Sequence, residues 1–207
     1  MKNMLFSENE KEKIYSEVIN HSEIYPNELT PSMKKKQNEL PDFEFKNFIK
    51  RNLEMNLNQI PLPNKPTTVP DKLTSILLER LWNHPESERE NIIKYYNDRK
   101  QAEMKTGVLL EHYIQKKGLN FGWFATGTVF RDIDFLTFED DTYTYFQIKN
   151  SDNTENAASK SVRDGRTINK WHRRHSTKHE IYFWDNFPDS RLNLSSQVAD
   201  EVRSFFK

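Results

Sequence analysis

The 207-residue sequence predicts an α/β layered domain, and two features carry that reading. Up to Gly118 apolar residues recur at helical spacing, whereas beyond it the period falls toward two through segments rich in aromatic and β-branched residues. Helices enclosing such a run of strands can bury their apolar faces against one sheet. Hydrophobic residues are 35% of the chain, but 14 Phe, 8 Tyr and 4 Trp each supply a large buried surface, so a core can form.

Taken in order, residues 1–25 read as a helix on Ile14, Val18 and Ile19, followed by a polar stretch around Pro26, Pro31 and Lys34-Lys35-Lys36. Residues 42–55 read as a short helix. The run Ile60 to Pro70 carries four prolines and can continue neither a helix nor a central strand, so it reads as a linker. The expected division is therefore a helical N-terminal arm with its linker, residues 1–65, and a main domain, residues 66–207. Asp71 is a candidate N-cap for a helix bearing Leu73, Ile76, Leu77, Leu78 and Leu81. A second helix, with one break allowed, is expected from near Ser87 to Lys117, with Val108, Leu109, Tyr113 and Ile114 inward. Strands are expected at 121–126, 129–138, 142–148 and 179–184, a polar irregular stretch at 151–170, and a closing helix at 195–206.

The absence of cysteine excludes disulfides and thiolate metal sites, so any metal must be held by oxygen or histidine nitrogen. No apolar stretch approaches the roughly 18 residues a membrane span needs, and the expectation is a soluble, cytoplasmic protein without a membrane partner. With 31 basic and 31 acidic residues the chain is neutral, so a nucleic-acid footprint has to be local. Residues 160–179 provide one, with seven Lys or Arg against Asp164 alone.

The chemistry-bearing pattern lies on the hairpin. If Asp140 and Asp141 form a two-residue loop, Asp134 faces Gln147 and Asp132 faces Lys149, and all four share a sheet face with Phe130, Leu136, Tyr145 and Phe138. Two carboxylates, an amide and an ammonium among apolar groups either neutralise one another or bind an ion. A hard cation such as Mg²⁺ suits carboxylate, amide and carbonyl oxygens, here Asp134, Gln147 and the Ile148 carbonyl. Lys149 can then position water and stabilise a pentavalent phosphorus. An ordinary cross-strand Asp–Lys pair is the alternative. No Gly-rich phosphate loop is present, so no nucleotide cofactor is expected. His172, His175 and His179 could offer Zn²⁺ ligands from a helix face, but a basic, phosphate-facing loop is the preferred reading. Trp171 and Trp184 read as core rather than as stacking platforms.

An Asp on one strand followed by Gln-x-Lys on the next resembles the PD-(D/E)xK nucleases, with Gln147 replacing the usual acid. The resemblance implies a restriction-endonuclease-like core: a mixed β-sheet flanked by helices. It also implies a further acid from the preceding helix, and Glu111 is the candidate, completing a metal set of Asp134, Gln147 and Glu111. More specifically, Phe146-Gln147-Ile148-Lys149-Asn150-Ser151 to Asn156, Arg163-Asp164-Gly165 and Lys170-Trp171-His172-Arg173 resemble the SinI-type restriction endonucleases. Leu109-Leu110-Glu111, Gly122-Trp123, Ile133-Asp134-Phe135 and Trp184-Asp185-Asn186-Phe187-Pro188 follow the same order. The likeness covers about residues 66–190 and leaves the first 60 unmatched.

That resemblance implies a type II restriction endonuclease: Mg²⁺-dependent, sequence-specific cleavage of double-stranded DNA by a homodimer, with a cognate DNA methyltransferase as genetic partner. Asn and Gln suit adenine and Arg suits guanine in the major groove, while Lys favours phosphate. Asn150, Asn153, Asn156, Arg163 and Arg166 are accordingly candidate base-side contacts, and Lys160, Lys170 and Arg173 candidate phosphate clamps. The alternatives are a DNA-binding protein of the same fold with weak or lost catalysis, and a non-specific nuclease.

Overall fold

A computed structural model describes residues 6–57, 72–150, 167–174 and 183–194. The chain divides into two compact units, Met1–Ile60 with Leu110–Lys207 and Pro61–Leu109.

In the first unit, helix α1 (Glu8–Ile24) begins at a reciprocal cap: the Ser7 hydroxyl accepts from the Glu10 amide, and the Glu10 carboxylate accepts from the Ser7 amide. Helix α2 (Pro31–Glu39) occupies the stretch expected to be merely polar. Pro31 stands at its first position, where a missing N–H costs nothing, and Met33 supplies its buried contact. Helix α3 (Asp42–Leu57) buries Phe45, Ile49, Leu53 and Leu57 at spacings of four.

Three strands make an antiparallel meander and a fourth joins it in parallel: β1 (Trp123–Ala125), β2 (Phe135–Glu139), β3 (Thr142–Asn150) and β4 (Ile168–Arg174), in that spatial order. The sheet is thus mixed. The expected hairpin register holds, with Glu139 opposite Thr142 and Leu136 opposite Tyr145. Asp140 and Asp141 both adopt positive φ, 50° and 59°, the conformation a two-residue turn needs to match the twist of its strands.

Three readings are corrected. The segment 129–138 is not one strand: Asp132 sits at φ 58°, which interrupts the extended chain, so Phe130 makes only an isolated bridge to Leu29 and β2 starts at Phe135. Residues 168–174 are a strand rather than part of a polar loop, because Ile168 and Trp171 bury themselves against the sheet. His172, on that strand, therefore does not lie on a helix with His175. Of the strand expected at 179–184 the described residues show none, since Phe183 is irregular and Trp184 opens a 3₁₀ turn, Trp184–Asn186; residues 179–182 and the closing helix at 195–206 lie outside the described residues, as do Asp71, the proline-rich linker, His175 and His179.

The N-terminal helices do not form a core of their own. Ile14, Val18, Leu29, Met33, Ile49 and Leu53 share one apolar cluster with Phe124, Phe130, Ile133 and Leu136 of the strand region. This grouping differs from the division at residue 65 read from the sequence. Within the cluster the fully buried His21 meets Glu28 at 2.7 Å, ringed by Tyr25, Phe130, Tyr143 and Tyr145.

The second unit contains α4 (Lys72–Trp82) and the first part of α5 (Glu86–Gly118), a single unbroken helix whose Leu109–Leu110 step is the unit boundary. Arg89 of α5 pairs with Glu79 of α4 at 2.6 Å.

Candidate active site

The end of α5 is fastened to the sheet by a buried amide. Gln115 donates to the Trp123 carbonyl at 2.8 Å and accepts from the Ala125 amide. Gly118 permits the approach, since a Cβ there would stand 2.7 Å from Cβ of Trp123. Glu111 lies one turn before Gln115 on the same side of the helix, so the clamp that holds β1 also delivers Glu111 to the sheet. Lys116 completes the anchoring through an ion pair to Glu10 of α1 at 2.8 Å.

Asp134 occupies the point where the chain enters β2. Its amide donates to the Phe146 carbonyl at 2.9 Å, and its carbonyl accepts from the Thr126 amide at 3.0 Å. Because Asp132 turns the preceding chain away, no backbone carbonyl of β2 reaches Ile148; the Asp134 carboxylate takes that place and accepts from the Ile148 amide at 2.6 Å. One carboxylate oxygen is thereby held directly against the Gln147-Ile148-Lys149 stretch of β3.

Gln147 is buried, and Lys149 is half-buried two residues along the same face. In the parallel pairing Gln147 neighbours Lys170 and Lys149 neighbours His172. The register then slips between Lys149 and Asn150, so that Arg174 pairs with Asn150 and Arg173 is the extra residue of a bulge. A bulge re-aims side chains, and the charge of Arg173 acts on both Glu111 and Asp134.

The electrostatics tie these elements together. Burial pushes the Glu111 carboxyl up to about 8; the negative charge of Asp134 adds to that rise, and Arg173 opposes it. Asp134 is also raised, first by burial and then by Asp132, against the Ile148 hydrogen bond and the charges of Lys149 and Arg173. Lys170 is lowered, mainly by desolvation and then by Lys149. Two desolvated carboxylates, one raised by the other and the second by Asp132, form beside cationic groups a site short of positive charge at its centre. Such a site fits a divalent cation. Among the described residues no three Asp, Glu or His gather into a metal cage.

Of the residues singled out in the sequence, the structure brings together Asp134, Gln147, Lys149, Glu111, Lys170 and Arg173. Asn150 ends β3, while Asn153, Asn156, Lys160, Arg163 and Arg166 lie outside the described residues. Trp171 is core: it packs on Trp184 and Phe187 and donates its indole N–H to the Phe183 carbonyl at 3.1 Å. Sequence reasoning missed that Lys170 and Arg173 border the chemistry, having assigned them to a separate anchoring loop. The signal was Ile168 and Trp171, apolar residues three apart that an extended chain turns to opposite faces, each of them buried.

A mixed sheet flanked by helices, with an acid entering one strand and Gln-x-Lys on the next, is a restriction-endonuclease-like nuclease core. The chain belongs to the SinI restriction endonuclease family, whose sequence model matches residues 2–202. That match reaches through the first 60 residues, which the sequence reading had left outside the resemblance. The chain is 36% identical over 183 residues to the type II restriction enzyme Eco47I of Escherichia coli, covering 86% of this chain and 77% of that one. It is 34% identical over 159 residues to the type II restriction enzyme SinI of Salmonella infantis, covering 74% and 68%.

Proposed function

We propose that this protein is a type II restriction endonuclease that hydrolyses both strands of duplex DNA at a defined sequence with Mg²⁺, using Asp134, Glu111, Gln147 and Lys149. The observation that carries the reading is the pairing of Glu111 with Asp134: two half-buried, desolvated carboxylates, the charge of Asp134 raising Glu111, beside Lys149, in a chain of this family. Mg²⁺ would be held by Asp134, Glu111, the Gln147 side-chain oxygen and the Ile148 carbonyl, and when bound it polarises the scissile phosphate and makes water a stronger nucleophile.

The protein's own groups do the rest. The Ile148 amide fixes the direction of the Asp134 carboxylate. Glu111 gives up its proton as the cation enters, so cation binding is coupled to pH. Lys149 places its ammonium against the phosphate and stabilises the charge that gathers on the pentavalent phosphorus. Lys170 and Arg173 hold the flanking phosphates beside the reacting bond rather than at a distance from it. Base reading is assigned to Asn150, Asn153, Asn156, Arg163 and Arg166, whose side chains suit the edges of adenine and guanine.

One such set cuts one strand, so cleavage of both strands calls for two copies about a two-fold axis and a palindromic or nearly palindromic site. A cognate methyltransferase protects the host sequence, and both act in the cytoplasm. No helix among the described residues is long and apolar enough to cross a membrane. Digestion of phage DNA with and without Mg²⁺, with sequencing of the ends, is the test. Discrete Mg²⁺-dependent fragments with one common end sequence are expected. Binding without cutting would favour a DNA-binding protein of this fold, and random ends a non-specific nuclease.

A further inference from the structure

The loop that delivers Asp134 to the sheet carries a cation without a partner. Val129, Phe130 and Ile133 of that loop are buried and belong to the core. Arg131, between them, is half-buried and makes no ion pair or side-chain hydrogen bond among the described residues. Comparably covered cations of the same unit are matched: Lys11 meets Glu8 at 2.6 Å, Lys46 meets Glu23 at 2.5 Å and Lys116 meets Glu10 at 2.8 Å. Arg131 is also left over from the charge balance of the site, where the cations that hold Asp134 down are Lys149 and Arg173. A guanidinium taken partly out of water with no anion beside it is suited to an anion brought from outside.

The loop is fixed in place. The Arg131 amide donates to the Glu28 carbonyl at 3.0 Å, the Thr30 amide to the Val129 carbonyl at 3.0 Å, and the Thr128 hydroxyl to the Asn52 side-chain oxygen at 3.0 Å. Asp132, at φ 58°, then turns the chain into Asp134, and its charge acts on both Asp134 and Lys170. Arg131 thus stands three residues before the site's first carboxylate, no more than ~11 Å along the chain. At a rise of ~3.4 Å per nucleotide of one DNA strand, that reach spans about three phosphates.

We propose that Arg131 binds a backbone phosphate of the strand being cut, within three phosphates of the scissile bond, and so sets the register of that strand on Asp134. The proposal rests on the reading under Proposed function, in which Asp134 serves the scissile phosphate. The guanidinium fork matches two phosphate oxygens, and a backbone pinned on both sides holds it ready for them. Its short tether to Asp134 keeps it at the sugar-phosphate backbone rather than at the base edges, so it adds affinity and placement without reading sequence.

The first measurement is binding of the full-length protein to a short duplex of arbitrary sequence, without Mg²⁺ and across a range of salt. Arg131→Ala should flatten the slope of log affinity against log salt by about one, the loss of one phosphate contact, and Arg131→Lys should keep the slope. The second uses the cut site mapped by digestion. A methylphosphonate replacing one phosphate within three of the scissile bond should weaken wild-type binding by about tenfold or more and should weaken Arg131→Ala no further. With Mg²⁺, Arg131→Ala should raise KM and leave kcat within about threefold, because the phosphate it holds is not the reacting one. An unchanged salt slope would overturn the assignment and leave the nuclease reading standing, as would a loss confined to the cognate duplex, which marks a base contact. Additive effects of Arg131→Ala and every methylphosphonate would overturn it equally. If Arg131→Ala does not fold, Arg131→Gln takes its place, and a wild type indifferent to all of those methylphosphonates overturns the assignment by itself. A protein that shows the expected change of slope yet cuts no DNA would instead sink the nuclease reading alone.

Discussion

Two clusters of buried polar groups lie in the same unit and are built on opposite principles. His21 and Glu28 meet at 2.7 Å inside a ring of aromatic side chains, and each supplies what the other lacks. Glu111 and Asp134 are half-buried and carry like charge, and the charge of Asp134 makes ionisation of Glu111 harder. The first pair is closed between its two members and ties α1 to the turn after it, with only the buried Nδ1 of His21 left without a hydrogen bond among the described residues. The second is costly within the chain and is only partly offset there, by the Ile148 amide, Lys149 and Arg173. Burial of charge alone does not separate structure from function here; whether the partner is already present does.

The sharpest way to break this comparison is to ask which cluster, when damaged, loses activity and which loses stability. Asp134→Ala and Lys149→Ala should each lower cleavage by at least about 10³-fold, roughly 4 kcal/mol of transition-state stabilisation, with DNA affinity within about tenfold and no loss of melting temperature. Plasmid nicking rates with gel-shift titrations on the same preparations provide the check, and near wild-type turnover in either variant would remove that residue from the site. Asp132→Ala should be milder, because the left-handed turn at Asp132 keeps it outside the strand pairing.

Glu28→Ala should behave inversely. Leaving His21 buried without its partner should cost about 3 kcal/mol, between an unpaired buried hydrogen bond and an unpaired buried charge. Urea unfolding measures this, and the cleavage rate per folded molecule should stay unchanged. A loss of activity with intact stability would erase the distinction between the clusters.

Gly118→Ala probes the joint that delivers Glu111 to the sheet. A methyl group 2.7 Å from the Trp123 side chain has to displace the end of α5, at a cost of roughly 1–3 kcal/mol for overpacking. The expected signature is a lower melting temperature together with a raised Mg²⁺ requirement, because Glu111 moves with the helix. An unchanged Mg²⁺ requirement would uncouple the two.

The smallest effect concerns pH. Glu111 titrates near 8 in the folded, metal-free protein against an ordinary value of 4.5, so the folded state holds the extra proton between those values. Its favourable contribution is full below about 4.5 and is lost as pH rises through 8. Glu111→Gln, which cannot ionise, should therefore raise the metal-free melting temperature at pH 9 by roughly 2–4 °C, the shift that about 1 kcal/mol makes in a chain of this size, and should change it little at pH 4.5. The same variant should lose the pH dependence of Mg²⁺ binding, which in the wild type should tighten up to tenfold per pH unit until about pH 8. Calorimetry at the two pH values reads the first effect and a Mg²⁺ titration the second.

Much of the site was legible before any coordinates, because its information is local. The Asp140-Asp141 turn sets the hairpin register as far as Phe135 opposite Phe146, and Asp134, next in the chain, meets β3 through the Ile148 amide between Gln147 and Lys149, whereas Asp132 does not pair with Lys149. Helices α1, α3 and α5 were legible for the same reason, through apolar residues at spacings of three and four. Glu111 was reached only through the resemblance and the missing charge at Gln147. Only the tertiary structure decided what depends on partners distant in the chain. Pro31 to Glu39 is helical because Met33 reaches a core built partly from strands a hundred residues on. Asp132 leaves the strand because backbone bonds from Arg131 to Glu28 and from Thr30 to Val129 draw its segment toward the end of α1. Residues 168–174 form a strand because β3 offers an edge to pair with, and that pairing brings Arg173 to Glu111 and Asp134 and Lys170 to Lys149. Propensity and periodicity describe what a segment can bury, but which edge or face receives it is a property of the whole packed chain.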